Sequence, residues 1–391
     1  MNDENPKNIL CVANYSAEAG YAWHLMENFW VQVARFCQNS GTKCFLIYPE
    51  YEKIPSPIKT SPITVIKCDF SDRSRYGRNL LASIITENKI DALYLTDRPY
   101  FDVYYAYLRS LGVKTIIAHD HTPGDRPAIG GIKGFVKSLR NRISWTSCDA
   151  VFAVSENMRL RNIMNGRVPV KKCHTITNGI TPIDCKHSDK SYVKKCFAIE
   201  DSSTVIVSTG RAHPYKRVDF IIECAHHLVH EMGITDAIFI FCGDGPAMPQ
   251  LNDMIKRLEL NDHFILAGRR NDIPGILCSS NIAIHASAGE GLSLSILEYM
   301  SAGLPVLVPD IPSVSQPIND GVTGIIYKDG DKHHVGEKIK RLIEDGRFRA
   351  QLSYNATNEI LKKYTLDASN AEFHKALTKA LGNALRGKSL T

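Results

Sequence analysis

Short apolar runs, separated by longer stretches with helical periodicity, recur along the whole of this chain of 391 residues. In the first half they are ILCVAN at 9–14, KCFLIYP at 43–49, ITVIKCD at 63–69, DALYLTD at 91–97, KTIIAHD at 114–120 and AVFAVS at 150–155. This alternation is typical of an α/β fold in which helices cover both faces of a doubly wound parallel sheet. Because ligands of such sheets bind beyond the carboxyl ends of the strands, the loops after these runs are the first candidates for a site.

A polar, proline-containing stretch from 181 to 195 interrupts the alternation, which then resumes. Further strands are predicted for the apolar parts of STVIVSTG, AIFIFCGDGP, FILAGRR, NIAIHA, PVLVP and GIIYK. We therefore predict two domains, residues 1–185 and residues 186–365. After Leu366 the chain has helical character, with apolar residues at Phe373, Leu377, Leu381 and Leu385.

The composition is that of a soluble globular protein, with 44% hydrophobic and 23% charged residues. A net charge of +6 is too small to indicate nucleic-acid binding, although it is compatible with anionic substrates or a membrane surface. The 11 cysteines are scattered singly, and their odd number without a signal peptide predicts reduced thiols in a cytoplasmic protein. No apolar run approaches the roughly 20 residues of a membrane-spanning helix.

The stretch from Asn281 to Pro309 carries the first candidate chemistry. It reads as a strand, a break of small residues, a helix and another strand, with Glu290 in the loop at the start of the helix and Glu298 inside the helix. Free backbone N–H groups and the positive end of the helix dipole favour an anion at that point. Glycines at 289 and 291 permit the anion to approach the backbone closely.

Two carboxylates beside an anion site indicate a ligand that also carries hydroxyl groups, since a carboxylate accepts hydrogen bonds and repels phosphate. A sugar nucleotide has both kinds of group. The alternative is structural: Ser295-x-x-Glu298 would be a capping box and Glu290 a solvated loop charge. The spacing alone does not decide between these interpretations.

The loop after STVIVSTG contains two cations, Arg211 and Lys216, before the next helix begins. Two cations in a strand-to-helix loop can converge on one diphosphate, the arginine by its planar fork and the lysine as a point charge. The loop therefore becomes a second part of the same candidate site.

The loop after KTIIA reads HDHTPGD and offers a different chemistry. His119 and His121 leave the strand on the same side, and Asp125 could join them as a third metal ligand. A metal-dependent hydrolase is therefore an alternative, although the sequence shows no companion cluster of histidines and carboxylates. A second metal-like pattern, Asp329-Gly-Asp331, lies in a turn after a strand, where a structural role is the prediction.

The segment EGLSLSILEYMSAGLPVLVPD resembles the donor-site signature of the retaining glycosyltransferases of family four. The resemblance covers nearly the whole chain and is specific mainly between Thr204 and Lys328. It implies the GT-B fold, in which two Rossmann-like domains face a cleft and a C-terminal helix, here 366–391, returns to the N-terminal domain. It also implies that the nucleotide-sugar donor binds the second domain and the acceptor the first.

The resemblance assigns roles by position. Glu290 would lie against the donor sugar, Glu298 would accept from the ribose hydroxyls, and Arg211 with Lys216 would hold the pyrophosphate and neutralise the leaving group. His121, with His119 as the second choice, would stand at the reaction centre under the donor sugar. Further donor-binding positions are Gly210, Gly268, Arg269, Gly291, Leu292, Ser293 and Leu294.

The chain departs from the family at two places. The loop after the first strand usually carries paired glycines that face the donor phosphates, whereas here Gly20 follows an alanine. We therefore predict that Gly20 and Tyr21 line the acceptor side of the cleft. Gln316 stands where the family frequently has a carboxylate.

The resulting hypothesis is a retaining glycosyltransferase that moves a sugar from a nucleotide sugar to a glycan or lipid-linked acceptor, in cell-surface polysaccharide or glycolipid synthesis. It needs neither a metal nor a cofactor beyond the donor. A nucleotide-sugar epimerase or a phosphorylase of the same fold is the alternative enzyme, and a non-enzymatic sugar-binding module is a further alternative.

The segment from 131 to 145 has the pattern of a basic amphipathic helix. Its apolar positions are Ile132, Val136, Leu139 and Ile143, and they are flanked by Lys133, Lys137, Arg140 and Arg142. Such a helix can rest on anionic lipid, which would place the protein peripherally at the inner face of a membrane. An ordinary surface helix has the same pattern.

Overall fold

The computed structural model describes residues 8–18, 24–124, 127 and 129–386. They form two compact units. The first comprises the described residues up to Asn178 together with those from Ser369 onward, and the second runs from Gly179 to Ala368.

The residues just after Asn178 pack with the second unit. Ile180 forms a β-bridge with Thr365. The amide of Ile183 donates a hydrogen bond of 2.8 Å to the hydroxyl of Ser301. Residues 179–185, which the sequence places in the first domain, are therefore held by second-unit partners.

The first unit is built on a parallel sheet whose seven strands have the order β3-β2-β1-β4-β5-β6-β7. The strands are β1 (Asn8–Val12), β2 (Cys44–Tyr48), β3 (Ile63–Lys67), β4 (Ile90–Thr96), β5 (Thr115–Asp120), β6 (Ala150–Ala153) and β7 (Cys173–Thr175). The helices between them are α1 (His24–Asn39), α2 (Ser56–Lys59), α3 (Arg75–Glu87), α4 (Tyr104–Ser110), α5 (Gly131–Arg140) and α6 (Glu156–Met164).

The second unit has a six-stranded parallel sheet with the order β10-β9-β8-β11-β12-β13. The strands are β8 (Thr204–Thr209), β9 (Ala237–Cys242), β10 (Phe264–Gly268), β11 (Ile282–Ile284), β12 (Val306–Pro309) and β13 (Ile325–Tyr327). The helices are α7 (Tyr192–Phe197), α8 (Val218–His226), α9 (Met248–Arg257), α10 (Ile273–Ser279), α11 (Leu294–Ser301), α12 (Pro312–Ser315), α13 (Lys332–Glu344) and α14 (Gly346–Lys363). A π-helical turn, His227–Glu231, continues α8.

Burial along the strands explains why they could be found in the sequence. Strands β2, β5 and β9 are buried at every position, because a parallel sheet is covered by helices on both faces and its strands become continuous apolar runs. The edge strand β3 is only half-buried or exposed along its length. Strand β7 was not predicted, since its three residues, CHT, contain no apolar run.

The last helix, α15 (Leu366–Arg386), ends in the first unit. Its Phe373 is fully buried there, with its ring centroid 5.0 Å from that of Phe29 on α1 and 5.7 Å from that of Tyr94 on β4. This contact confirms the predicted return of the C-terminal helix to the N-terminal domain.

Two of the cysteines depart from the sequence prediction. Cys185 and Cys278 are joined by a disulfide whose Cα atoms are 5.3 Å apart, although 93 positions separate them in sequence. The prediction of reduced thiols throughout is therefore wrong for this pair. The other cysteines are free, and all but Cys196 are buried. Among the described residues, no helix is long and apolar enough to cross a bilayer.

Candidate functional site

Three loops meet at the carboxyl edge of the second sheet. Strand β8 is flanked by β9 and β11, and all three are parallel, so the segments that follow them leave the sheet on the same side. The loop after β8 carries Arg211 and Lys216, and the loop after β11 carries Glu290.

The loop after β8 is held by backbone hydrogen bonds to the loop after β9. The amide of Gly210 donates to the carbonyl of Cys242 at 3.1 Å, and the amide of Ala212 donates to that of Asp244 at 2.9 Å. A Cβ atom at Gly243 would lie 1.7 Å from the carbonyl oxygen of Gly210, so this close approach requires glycine. Arg211 lies between these anchors, exposed, and its guanidinium bonds to no other side chain in the described part of the chain.

The predicted cation and carboxylate meet directly. The ammonium of Lys216 lies 2.5 Å from Oε1 of Glu290, across 74 positions of sequence. The same oxygen is 3.0 Å from Nε2 of His285, the residue that follows β11. The side chains of Lys216 and Glu290 are only 15% and 9% exposed, so the three groups form a buried cluster.

The charge state of the cluster follows from its contacts. Burial raises the pKa of the Glu290 carboxyl, but the hydrogen bond from His285 and the charge of Lys216 outweigh burial and lower the pKa to about 2. Burial lowers the pKa of His285, against the opposing effect of Glu290. Glu290 is therefore a carboxylate at neutral pH, and a neutral His285 must donate to it from Nε2. His285 is the site residue that sequence reasoning missed, although it lies within the same segment.

Helix α11 is fixed to the β8 loop by a buried tyrosine. The hydroxyl of Tyr299 accepts from the amide of Thr209 at 2.5 Å and lies 2.9 Å from the hydroxyl of that threonine. This bond holds α11 against the end of β8. Glu298, one residue earlier, is half-buried on the same helix.

The N-terminus of α11 has no side-chain cap from its N-cap residue. Ser293 is the N-cap residue, but its hydroxyl makes no capping hydrogen bond. Because the helix begins at Leu294, Ser295 lies inside it and cannot form the alternative capping box with Glu298. Glu290 is buried in a cluster rather than solvated, so the structural interpretation of this motif is wrong.

Gln316 has a defined partner in the same loop. Its side-chain amide donates to the carbonyl of Gly291 at 2.8 Å. An ionised carboxylate at this position could not donate that bond. The amide therefore supports the loop that carries Gly291 and Leu292, both of them buried.

The end of β10 lies at the same edge of the sheet, two strands away from β8 and so about 10 Å from it. Gly268 there has a positive φ of 66°, and the following Arg269 is exposed. Its neighbour Arg270 is bound to Asp272, with the closest atoms 2.6 Å apart. Of the two arginines, Arg269 is thus the one open to a ligand.

The two candidate histidines of the first unit, His119 and His121, have different surroundings. His119 is fully buried among Phe29, Phe152 and Phe373, and its Nδ1 lies 2.5 Å from the hydroxyl of Tyr94. Burial lowers its pKa far below the usual value, so it is a neutral group of the core.

His121 is partly exposed and lies at the end of β5. Its amide donates to Oδ1 of Asp97 at 2.6 Å, while its ring Nδ1 is 3.7 Å from that oxygen, beyond hydrogen-bonding distance. Neither ring nitrogen has a hydrogen-bond partner among the described residues. Of the pair, His121 is the histidine whose side chain is partly exposed, at 15%.

Five other residues considered in the sequence add nothing to this site, because two have structural partners and three lie outside the described residues. Asp329 is paired with Arg217 at 2.5 Å, and Asp331 caps α13 by accepting from the amide of His334, so this D-x-D pattern is structural, as predicted. Gly20, Tyr21 and Asp125 lie outside the described residues.

Comparisons with known protein families match both units. The family model described as "Glycosyltransferase Family 4" matches residues 26–182, and the model described as "Glycosyl transferases group 1" matches residues 190–359.

Curated relatives are distant and match in part. An N-acetyl-alpha-D-glucosaminyl L-malate synthase of Bacillus anthracis is 22% identical over 66% of this chain and 67% of its own length. A UDP-Gal:alpha-D-GlcNAc-diphosphoundecaprenol alpha-1,3-galactosyltransferase of Escherichia coli is 28% identical over 44% of this chain and 45% of its own length. The chain thus spans about half to two thirds of these relatives.

Solved structures match over nearly the whole chain. A glycosyltransferase of Rickettsia africae superposes with a TM-score of 0.78 at 17% identity, covering 97% of this chain and 100% of that one. HepE of Anabaena in complex with UDP superposes with a TM-score of 0.74 at 18% identity, covering 96% and 100%. At such identities the likeness concerns the fold, and with the two parallel sheets it confirms the predicted GT-B class.

Proposed function

Because the chain belongs to glycosyltransferase family 4, we propose that it moves a sugar from a nucleotide-sugar donor to a hydroxyl group of a glycan or lipid-linked acceptor, with retention of anomeric configuration. The proposal places the donor at the carboxyl edge of the second sheet. Synthesis of a cell-surface polysaccharide or glycolipid is the proposed role.

One observation carries this proposal. Lys216 and Glu290 were each singled out in the sequence for a role on the same ligand, and they are in contact in the fold. Arg211 is exposed in the same loop as Lys216, and Glu298 lies on the helix that follows Glu290. Cationic and carboxylate groups are thus gathered at one edge, as a ligand with both phosphate and hydroxyl groups requires.

The cluster also indicates which side chain would contact which part of the donor. Oε1 of Glu290 is taken by Lys216 and His285, which leaves Oε2 to accept from a hydroxyl of the donor sugar. Lys216 and Arg211 then face the diphosphate, whose negative charge grows as the bond to the sugar breaks. Fixed cations at this place stabilise the departing nucleoside diphosphate more than the bound donor, and this difference lowers the barrier.

We further propose that His121 acts at the reaction centre rather than His119. The side chain of His121 is 15% exposed, and its two ring nitrogens are buried without a hydrogen-bond partner among the described residues. His119, by contrast, is bound to Tyr94 and enclosed by aromatic side chains. No metal enters this scheme. His121→Ala should therefore lower the transfer rate and leave nucleotide binding unchanged.

Uridine diphosphate sugars are the first donors to test, since HepE was solved with UDP and the galactosyltransferase of Escherichia coli carries UDP-Gal in its name. In a thermal-shift screen of nucleoside diphosphates and their sugars, the matching ligand at 100 times its dissociation constant should stabilise the protein by about 2.7 kcal/mol.

Arg211→Ala is expected to remove most of this stabilisation, because it removes a cation that is proposed to bind the diphosphate. The guanidinium is exposed and has no side-chain partner among the described residues, so the substitution should leave the fold intact. Arg347→Ala, which removes another exposed arginine of the second unit, is the matched control. If both variants respond to the nucleotide as the parent does, the donor site lies elsewhere.

Proton NMR of the transfer product tests the proposed stereochemistry, and retention of the anomeric configuration is expected.

We propose that the acceptor is reached at an anionic membrane surface through the apolar face of α5. Ile132 and Phe135 on this helix are 83% and 71% exposed, and Trp145 beyond it is 60% exposed. Lys133 lies on the same helix and is also exposed. Exposed apolar side chains beside basic ones are the pattern of a helix that lies in the lipid interface.

Vesicle co-sedimentation tests this surface. Replacing both Ile132 and Phe135 by serine should weaken binding to vesicles with anionic lipid at least tenfold, since burying one such side chain contributes about 1.5–3 kcal/mol. Tyr354→Ser, which removes an aromatic side chain that is 70% exposed on α14, is the control. Equal binding by the parent and the double variant would refute the proposed contact.

A further inference from the structure

A cluster of histidines and one carboxylate lies at the end of α8, outside the donor site. His227 and Glu231 bound the π-helical turn that continues α8, and His333 lies in the first turn of α13. One ligand atom from each of the three side chains lies within 4.8 Å of the other two. The sequence did not indicate this cluster, because about 100 positions separate its two parts.

The contacts bring imidazole nitrogens and a carboxylate oxygen, two kinds of metal-ligand atom, close together. Nδ1 of His227 is 2.9 Å from Oε2 of Glu231, and the rings of His227 and His333 have centroids 4.3 Å apart. His227 is buried, whereas Glu231 and His333 are exposed and can adjust. The cluster thus joins one fixed imidazole to two movable ligands.

The packing of α13 leaves room for the fixed imidazole. A Cβ atom at Gly336 would lie 2.9 Å from Cδ2 and 3.2 Å from Nε2 of His227. Glycine at this position therefore lets α13 pack directly on the ring, and it keeps His333 within reach of it. π-Helical turns are rare in proteins and occur frequently at functional sites.

The geometry points to a binding site for a divalent transition-metal ion, with zinc as the best match, held by His227, Glu231 and His333. Imidazole nitrogen and carboxylate oxygen are both zinc ligands. In a tetrahedral site with bonds of about 2.0 Å the ligand atoms are about 3.3 Å apart, which small rotations of Glu231 and His333 reach. The fourth position remains open to water.

Lys332 is compatible with a metal ion at this site, because it binds the carboxylate oxygen of Glu231 that does not face His227. Its ammonium is 2.7 Å from Oε1 of Glu231, whereas the oxygen facing His227 is Oε2. The lysine orients the carboxylate and leaves Oε2 to the ion. Bound metal would join the end of α8 to α13 and stabilise the second unit, because an ion that binds only the folded protein shifts the equilibrium toward it.

Isothermal titration of the full chain with zinc sulfate tests the site, with unfolding temperature as the second readout. The parent should bind one zinc ion through this cluster and become more stable. His333→Ala removes an exposed ligand and should weaken this binding at least tenfold, and Glu231→Gln should weaken it in the same direction. His187→Ala, at an exposed histidine elsewhere in the unit, should bind like the parent.

The proposal is overturned if the parent takes up no zinc, or if His333→Ala binds zinc as tightly as the parent. Sugar transfer is not measured in this experiment, so its result is independent of the proposed enzymatic function.

Discussion

Lys216→Met is expected to lower the rate of sugar transfer by about 10²- to 10³-fold, the usual loss when one charge-stabilising group is removed from a reaction centre. The variant takes away the cation that faces the departing diphosphate. Among the described residues, it leaves His285 as the side-chain partner of the buried Glu290 carboxylate. The measurement is the steady-state rate of nucleoside diphosphate release in the presence of acceptor.

Lys328→Met is the matched control, since the side chain of Lys328 is 74% exposed and its ammonium lies 3.9 Å from Oδ2 of Asp331. It should retain the parent's rate. Far-ultraviolet circular dichroism of both variants separates lost catalysis from lost folding. A folded Lys216→Met enzyme with the parent's rate would contradict the assignment of this lysine to the leaving group.

Arg161→Met is expected to lower the free energy of unfolding by about 3–5 kcal/mol, because it removes the cation from a buried ion pair. The guanidinium of Arg161 lies 3.0 Å from Oδ2 of Asp120, and both side chains are only 4% exposed. It also donates to the carbonyls of Thr122 and Gly124, so it fixes the loop that follows His121. Urea denaturation measures the loss.

Arg159 provides the comparison on the same helix. It pairs with Glu156, whose side chain is 57% exposed, so Arg159→Met should cost only about 0–1 kcal/mol. Equal losses for the two variants would show that burial does not determine the contribution of the Arg161 pair.

The two sheets could be predicted because their strands are continuous apolar runs, as in AIFIFC of β9. The short β7 could not, since a strand of three residues with two polar side chains has no such signal. The return of the last helix was predicted from the family resemblance and depends on Phe373, which packs against Phe29 and Tyr94.

The donor residues were found in the sequence because their motifs are local, as in the spacing from Glu290 to Glu298. The side chains that contact these donor residues could not be found in the sequence, because the fold determines which residues meet. His285 becomes part of the site only when the loop folds Glu290 back onto it. The disulfide between Cys185 and Cys278 likewise joins distant positions that no spacing relates.

Hydrogen exchange with the nucleotide identified by the thermal-shift screen tests the central claim most directly, because it locates the donor without relying on activity. Residues 209–217, after β8, and residues 288–295, at the start of α11, should exchange more slowly when the nucleotide is bound. Unchanged exchange in both segments, with protection arising elsewhere in the chain, would contradict a donor site at this edge of the second sheet.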